Sequence, residues 1–251
     1  MASDLLHIDN LTVTVGGTIP LLNSITLSVK KGEVHVLMGP NGAGKSTLGN
    51  VLMGHPGYEI QQGSIHFDGQ DITHLETEKR ARLGLFFSFQ NPEEIPGITL
   101  ENFLRTSKSS ITGVEENVFI FNLALKKIMK DLDMDPLYAN RHLNVGFSGG
   151  EKKKSEILQL LALNPRLAIL DETDSGLDVD AVRVVSQGIK QFHNPENSLL
   201  IITHNTKILQ SIQADHVHVL VKGSLVASGD TSLIRRIEEE GYAPFLGQGG
   251  S

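Results

Sequence analysis

Residues Gly39-Pro40-Asn41-Gly42-Ala43-Gly44-Lys45-Ser46-Thr47 fit the pattern G-x-x-x-x-G-K-[ST], and few stretches of nine residues restrict a fold so tightly. Glycines let the backbone curl until successive N–H groups point inward at an anion. Lys45 adds a mobile charge for the β- and γ-phosphates of a nucleotide such as ATP, and Ser46 adds a hydroxyl for Mg²⁺. Such a loop works between a strand and a helix. The apolar run Val34–Met38 precedes it, and Leu48, Val51 and Leu52 recur at helical spacing after it. This order predicts phosphates seated on a helix N-terminus at the edge of a sheet.

That requirement sits in a chain of 251 residues, 39% hydrophobic and 20% charged, which suits one α/β domain with room for a modest insertion. A net charge of −7 argues against a broad nucleic-acid footprint. No apolar run approaches the ~20 residues of a membrane span. Met1-Ala2-Ser3-Asp4 opens neither a signal peptide nor a transit peptide, so a cytoplasmic location is expected. The chain has no cysteine, hence no disulfide, no thiolate nucleophile and no thiolate metal ligand. Iron–sulfur chemistry linked to it would need another chain's thiols.

Alternation of apolar and polar residues predicts an antiparallel pair over Leu5–Val15 and Ser24–Val36, joined across Gly16-Gly17. A strand over Gly63–Gly69 ends on the turn dipeptide Asp68-Gly69. Ile72–Arg82 reads as a charged helix and Leu85–Phe89 as a strand that stops at Gln90. Asn91–Gly97, with two prolines and a glycine, cannot be helix or inner strand. From Leu100 to Leu143 the pattern is helical, with Phe119, Leu123, Ile128 and Leu132 among its apolar positions. Strand Leu167–Leu170, helix Val179–Phe192, strand Leu199–Thr203 and a hairpin over Val217–Val221 and Val226–Ala227 then follow, and Gly247–Ser251 reads as a frayed tail. The fold expected is an α/β core of mostly parallel sheet with an antiparallel flank, spanning 1–90 and 159–251 and interrupted by a helical subdomain at 91–158.

Asp171 and Glu172 end the apolar run Leu167–Leu170, at the sheet edge where ligands of parallel sheets bind. Asp171 suits a Mg²⁺ ligand, leaving Glu172 to polarise a water for attack on a γ-phosphate. Ser148 followed by Glu151 is a capping box, and Ser148-Gly149-Gly150 at a helix start is also an anion site.

With these motifs in order, the chain resembles the ABC-type ATPases, whose signature S-G-G follows an apolar residue as in Phe147-Ser148-Gly149-Gly150. The resemblance implies that Gln90 senses Mg²⁺ and the attacking water. It implies that Ser175-Gly176-Leu177-Asp178 crosses a dimer interface, and that His204, after Thr203, positions Glu172 against the γ-phosphate. It further implies an ATP-dependent head-to-tail homodimer. Gly39–Thr47, Gln90, Asp171, Glu172 and His204 would come from one chain, and Ser148, Gly149, Gly150 and Asp178 from the other. The segments F-S-G-G-E-K-K, D-E-T-D-S-G-L-D and Gln90–Gly97 resemble the ATPases of the SUF iron–sulfur cluster assembly machinery. That likeness implies partnership with the SufB and SufD scaffold proteins, for which residues 91–115, with Ile95-Pro96-Gly97, are the expected docking surface. The alternative is the energising subunit of a membrane ABC transporter. Where many relatives stack an aromatic on adenine, the matching residue is Val15.

Lys152–Lys154 read as a solvated helix face. His216 and His218 share one face of a strand, with no third metal ligand evident from the sequence.

Overall fold

The computed structural model describes residues 4–173, 175–204, 208–210 and 212–247. Asp174 and the tail beyond Gly247 lie outside them.

Strands β1 (Asp4–Val15) and β2 (Ile19–Lys30) are antiparallel. The expected second strand over 24–36 divides at a turn over Lys31-Gly32, and β3 (Val34–Met38) enters a different sheet. After helix α1 (Lys45–Leu52), β4 (Glu59–Phe67) returns to β1 and turns through Asp68-Gly69 into β5 (Gln70–Asp71). Both turn residues take left-handed φ, +50° and +78°, as a two-residue hairpin turn requires. The result is a four-stranded antiparallel sheet of order β2-β1-β4-β5.

The central sheet has order β12-β11-β3-β10-β9-β6, built from β6 (Leu85–Ser88), β9 (Leu167–Asp171), β10 (Ser198–Ile202), β11 (His216–Val221) and β12 (Ser224–Gly229) around β3. Every pairing is parallel except β11–β12. Both faces of this sheet are covered, which is why β9 and β10 read as near-continuous aliphatic runs. Alternate residues feed different cores. Val34, Val36, Ala168 and Leu170 pack with the helices on one face. Leu37, Ile169, Leu200 and Leu220 pack with α1 and the antiparallel sheet on the other. The α/β class expected from the sequence is therefore the class observed.

Helix α2 (Thr77–Leu83) is shorter than the predicted 72–82. The 91–97 segment contributes to a small two-stranded sheet, β7 (Ile95–Thr99) with β8 (His142–Leu143), outside the central sheet. The expected helical run from Leu100 resolves into α3 (Leu100–Thr112) and α4 (Val118–Asp131), followed by a 3₁₀ turn over Pro136–Asn140. Gly113, left-handed at φ +71°, ends α3, and the Asn117 side chain caps α4 by accepting from the Phe119 and Ile120 N–H groups. The buried face of α4 is Phe121, Leu125 and Met129; Phe119 and Leu123, two of the apolar positions that marked the helical pattern, are exposed. Helices α5 (Gly149–Leu163) and α6 (Val179–Phe192) pack against each other, and α7 (Ser232–Glu240) and α8 (Ala243–Leu246) close the chain. No helix among the described residues is long and apolar enough to cross a membrane.

Candidate functional site

The loop between β3 and α1 is fixed by two glycines with different reasons to be glycine. A Cβ on Gly39 would collide with the Leu220 carbonyl oxygen, so β11 leaves no room for any side chain. Gly44 sits at φ +104°, a left-handed conformation that L-residues avoid, just where the loop turns into α1. The loop is pinned from outside as well. The Gly223 N–H donates to the Ala43 carbonyl at 2.9 Å, and the Gly39 N–H donates to the Tyr242 hydroxyl at 3.2 Å. Lys45 is buried and donates from Nζ to the carbonyls of Gly39 (2.8 Å) and Pro40 (3.1 Å). Burial pushes its pKa down, while the nearby Glu172 and Asp171 carboxylates pull it back up.

Glu172 follows β9 in the left-handed region at φ +48°, a strained position for a residue with a side chain. Its N–H donates to the Ile202 carbonyl at 2.9 Å, which holds the turn. The carboxylate is shared between two predicted residues: Gln90 Nε2 donates to Oε2 at 2.5 Å, and His204 Nδ1 lies 3.0 Å from Oε1. Asp171, one residue earlier, is buried, and burial raises its pKa against the pull of the Ser46 hydroxyl and Lys45. Its Oδ1 is buried without a hydrogen-bond partner. An orphan carboxylate oxygen beside a serine hydroxyl is a donor set that suits a hard cation.

Asn41–Thr47, Gln90, Glu172 and His204 line one cavity of ≈ 720 Å³. Pro20, Leu21, Lys222 and Gly223 complete its wall. Sequence reasoning missed these four and Tyr242, because no local motif marks them. Val15 pairs with Ile19 at the strand end, outside the lining.

The other predicted residues are elsewhere. Ser148 caps α5, accepting from the Glu151 N–H at 3.3 Å while Glu151 Oε2 accepts from the Ser148 N–H at 2.7 Å, so the capping box is real. The Tyr138 hydroxyl also donates to Glu151. Asp178 caps α6, accepting from the Ala181 N–H at 2.8 Å. A Cβ on Gly150 would lie 4.0 Å from the Ala181 Cβ, so the two helix starts form one patch. Ser148, Gly149 and Asp178 are exposed on it, and none of them lines the cavity at the phosphate loop.

Lys152–Lys154 are not the solvated face expected. Lys153 is buried, and its Nζ donates to the carbonyls of Phe89 and Gln90 and to Glu156 Oε2, at 2.9, 2.9 and 3.1 Å. It ties the helix that carries Ser148 to the loop that carries Gln90. Lys152 pairs with Glu94, and Lys154 donates to the Asp133 carbonyl.

A model described as "ABC transporter" matches residues 22–175 of the chain. A protein from Synechocystis named "Probable ATP-dependent transporter slr0075" is 47% identical over 246 residues, covering 96% of each chain. A solved cassette of an ABC transporter in its ADP conformation, MJ1267, is 25% identical with a TM-score of 0.75, over 99% of this chain and 100% of that one. The dimeric cassette MJ0796, 21% identical over 90% of this chain and 98% of that one, shares the fold with a TM-score of 0.75. With the phosphate loop and its carboxylates set in that fold, the chain belongs to the ABC transporter family and is an ABC-type ATPase.

Proposed function

We propose that the chain hydrolyses MgATP in composite sites shared by two copies, as a SufC-type subunit that drives shape change in SufB- and SufD-like scaffolds of iron–sulfur cluster assembly. The observation that carries the catalytic part is the Gln90–Glu172–His204 cluster at the mouth of the phosphate-loop cavity. ATP would lay its phosphates along the backbone of Gly39–Thr47, and Lys45 would exchange its two carbonyl partners for phosphate oxygens. Glu172, oriented by Gln90 and His204, holds and polarises the attacking water, and the other edge of His204 is left to face the γ-phosphate. Ser46, Asp171 and Gln90 are the residues that would hold Mg²⁺, which supplies charge neutralisation at the phosphates.

Dimerisation is supported by what the cavity lacks. Ser148, Gly149, Gly150 and Asp178 present helix N-termini on a patch of their own, a ready anion site that fits the γ-phosphate of a second copy. Closure on ATP and release on hydrolysis then follow from the site's being split.

The scaffold assignment is supported by the surface after Gln90. Ile95, Pro96 and Gly97 are exposed, and Ile95 is an exposed large apolar residue on an outlying strand. An apolar groove of ≈ 820 Å³, lined by Met53, Leu83, Phe86, Phe103, Ile111 and Leu163 among others, shares Phe86 and Phe103 with the pocket that Ile95 lines and offers a partner an apolar face. The transporter reading draws on the same groove and on the name of the Synechocystis relative. Recovery from native cell extract in MgATP, comparing wild type with Glu172→Gln, separates them. SufB- and SufD-like proteins, held more strongly by Glu172→Gln and lost with Ile95→Asp, are the result expected in the cytosol. A polytopic membrane protein in their place would establish the transporter subunit.

A further inference from the structure

At the opposite end of β3 from the phosphate loop, Glu33, His35 and His216 place one ligand atom each within 4.8 Å of one another. Topology brings them together. His216, the first residue of β11, lies opposite His35 in the parallel β11–β3 register, and His218 follows on the same face. His35 is buried, Glu33 half-buried and His216 exposed. The His35 and His216 ring centroids are 4.8 Å apart.

We propose that Glu33, His35 and His216 form a binding site for a borderline divalent cation of the Zn²⁺ class, oriented from behind by His218 and Ser228. Two imidazoles and one carboxylate, with a fourth position open to water, are a donor set that zinc accepts. Metal–ligand bonds of about 2.0–2.2 Å at tetrahedral angles set ligand atoms about 3.3–3.6 Å apart, so the exposed His216 ring has to move inward by roughly 1–1.5 Å.

The hydrogen bonds behind the site carry the inference further. Glu33 Oε2 lies 3.0 Å from His35 Nε2, His35 Nδ1 lies 2.9 Å from His218 Nε2, and His218 Nδ1 lies 2.8 Å from Ser228 Oγ. With no cation, His35 Nε2–H donates to Glu33, His218 Nε2–H donates to His35, and the serine hydroxyl donates to His218. A cation on His35 Nε2 needs that nitrogen bare. Each ring then carries its proton on Nδ1, so that His35 donates to His218 and His218 donates to Ser228. No proton leaves, and no buried nitrogen loses its partner. A ligating histidine whose other N–H is held by a neighbour is the arrangement that orients metal-bound imidazoles. Burial pulls Glu33 up, yet the bonds from His35 and the Lys30 N–H hold its carboxyl below the usual value.

The test uses the full chain without a histidine tag and without nucleotide. Zn²⁺ is titrated against a chromophoric chelator and Co²⁺ by visible absorption, in wild type, His216→Ala and Glu33→Gln. One equivalent of Zn²⁺ and the intense bands of four-coordinate Co²⁺ are expected in wild type. Both variants should bind at least about tenfold more weakly, with basal ATP hydrolysis unchanged in zinc-free buffer. His216 is exposed, so its substitution should also leave the melting temperature of the metal-free protein in place. Absence of a Zn²⁺ equivalent bound more tightly than millimolar, or binding unaltered in both variants, would overturn the proposal.

Discussion

Asp171 and Glu172 are adjacent carboxylates with unlike surroundings, and the difference matches the separate roles proposed for them. Glu172 has both oxygens engaged, by Gln90 and His204. Replacing it with Gln keeps the shape and removes the charge proposed to polarise water, so hydrolysis should fall by about 10²–10⁴-fold with ATP binding retained, as single-turnover assays and nucleotide titration would show. Asp171 has one oxygen without a partner, and burial works against its charge. Asp171→Asn should therefore stabilise the nucleotide-free protein by about 1 kcal/mol while abolishing Mg²⁺-dependent turnover. A raised carboxyl pKa means that the folded state gains, relative to the unfolded one, as pH falls through that pKa. The melting temperatures of wild type and Asp171→Asn should accordingly converge at acid pH and separate, by about 2–4 °C, at neutral pH. A constant gap across that range would show that the charge of Asp171 is not what costs stability.

At the scale of elements, helix α1 depends on a residue that looks like a surface arginine in the sequence. Arg80 is buried, with Nη1 donating to the carbonyls of Val51 and Leu52, both at 2.9 Å, Nη2 to Thr73, and Nε to Leu75. It closes the C-terminal end of the helix that begins at Lys45, where a cation is favoured, although burial drops its pKa to about 10. The single ammonium of a lysine in its place would reach fewer of these four carbonyls. Arg80→Lys should cost about 2 kcal/mol in denaturant unfolding, through carbonyls left unpaired rather than through lost charge. The sequence shows why such residues escape notice. Motifs whose members are neighbours in the chain, such as Gly39–Thr47, Ser148–Glu151 and Asp171-Glu172, were legible because local geometry alone dictates their spacing. Lys153, Arg80 and Tyr242 look like ordinary surface residues, since their most distant partners lie 64, 29 and 203 positions away. The face chosen by α4 was illegible for the same reason. Phe119, Phe121, Leu123 and Leu125 are all apolar, and only packing against α3 and α5 selects Phe121 and Leu125.

Across the whole molecule, the phosphate loop, the signature patch and the histidine cluster sit at different places. The central sheet carries the phosphate loop, Asp171 and Glu172 at one edge and the Glu33–His35–His216 cluster at the other. Helices α5 and α6 hold Ser148 and Asp178 on a separate exposed patch. In the proposed arrangement a single copy presents two half-sites and no complete one. The most direct measurement mixes two inactive variants, Lys45→Ala, with an intact signature patch, and Ser148→Arg, with an intact phosphate loop. Random pairing makes half the dimers mixed, each with one whole site, so the mixture should recover roughly a quarter of wild-type ATP hydrolysis. Activity no higher than the sum of the separate variants would contradict a site built from two copies.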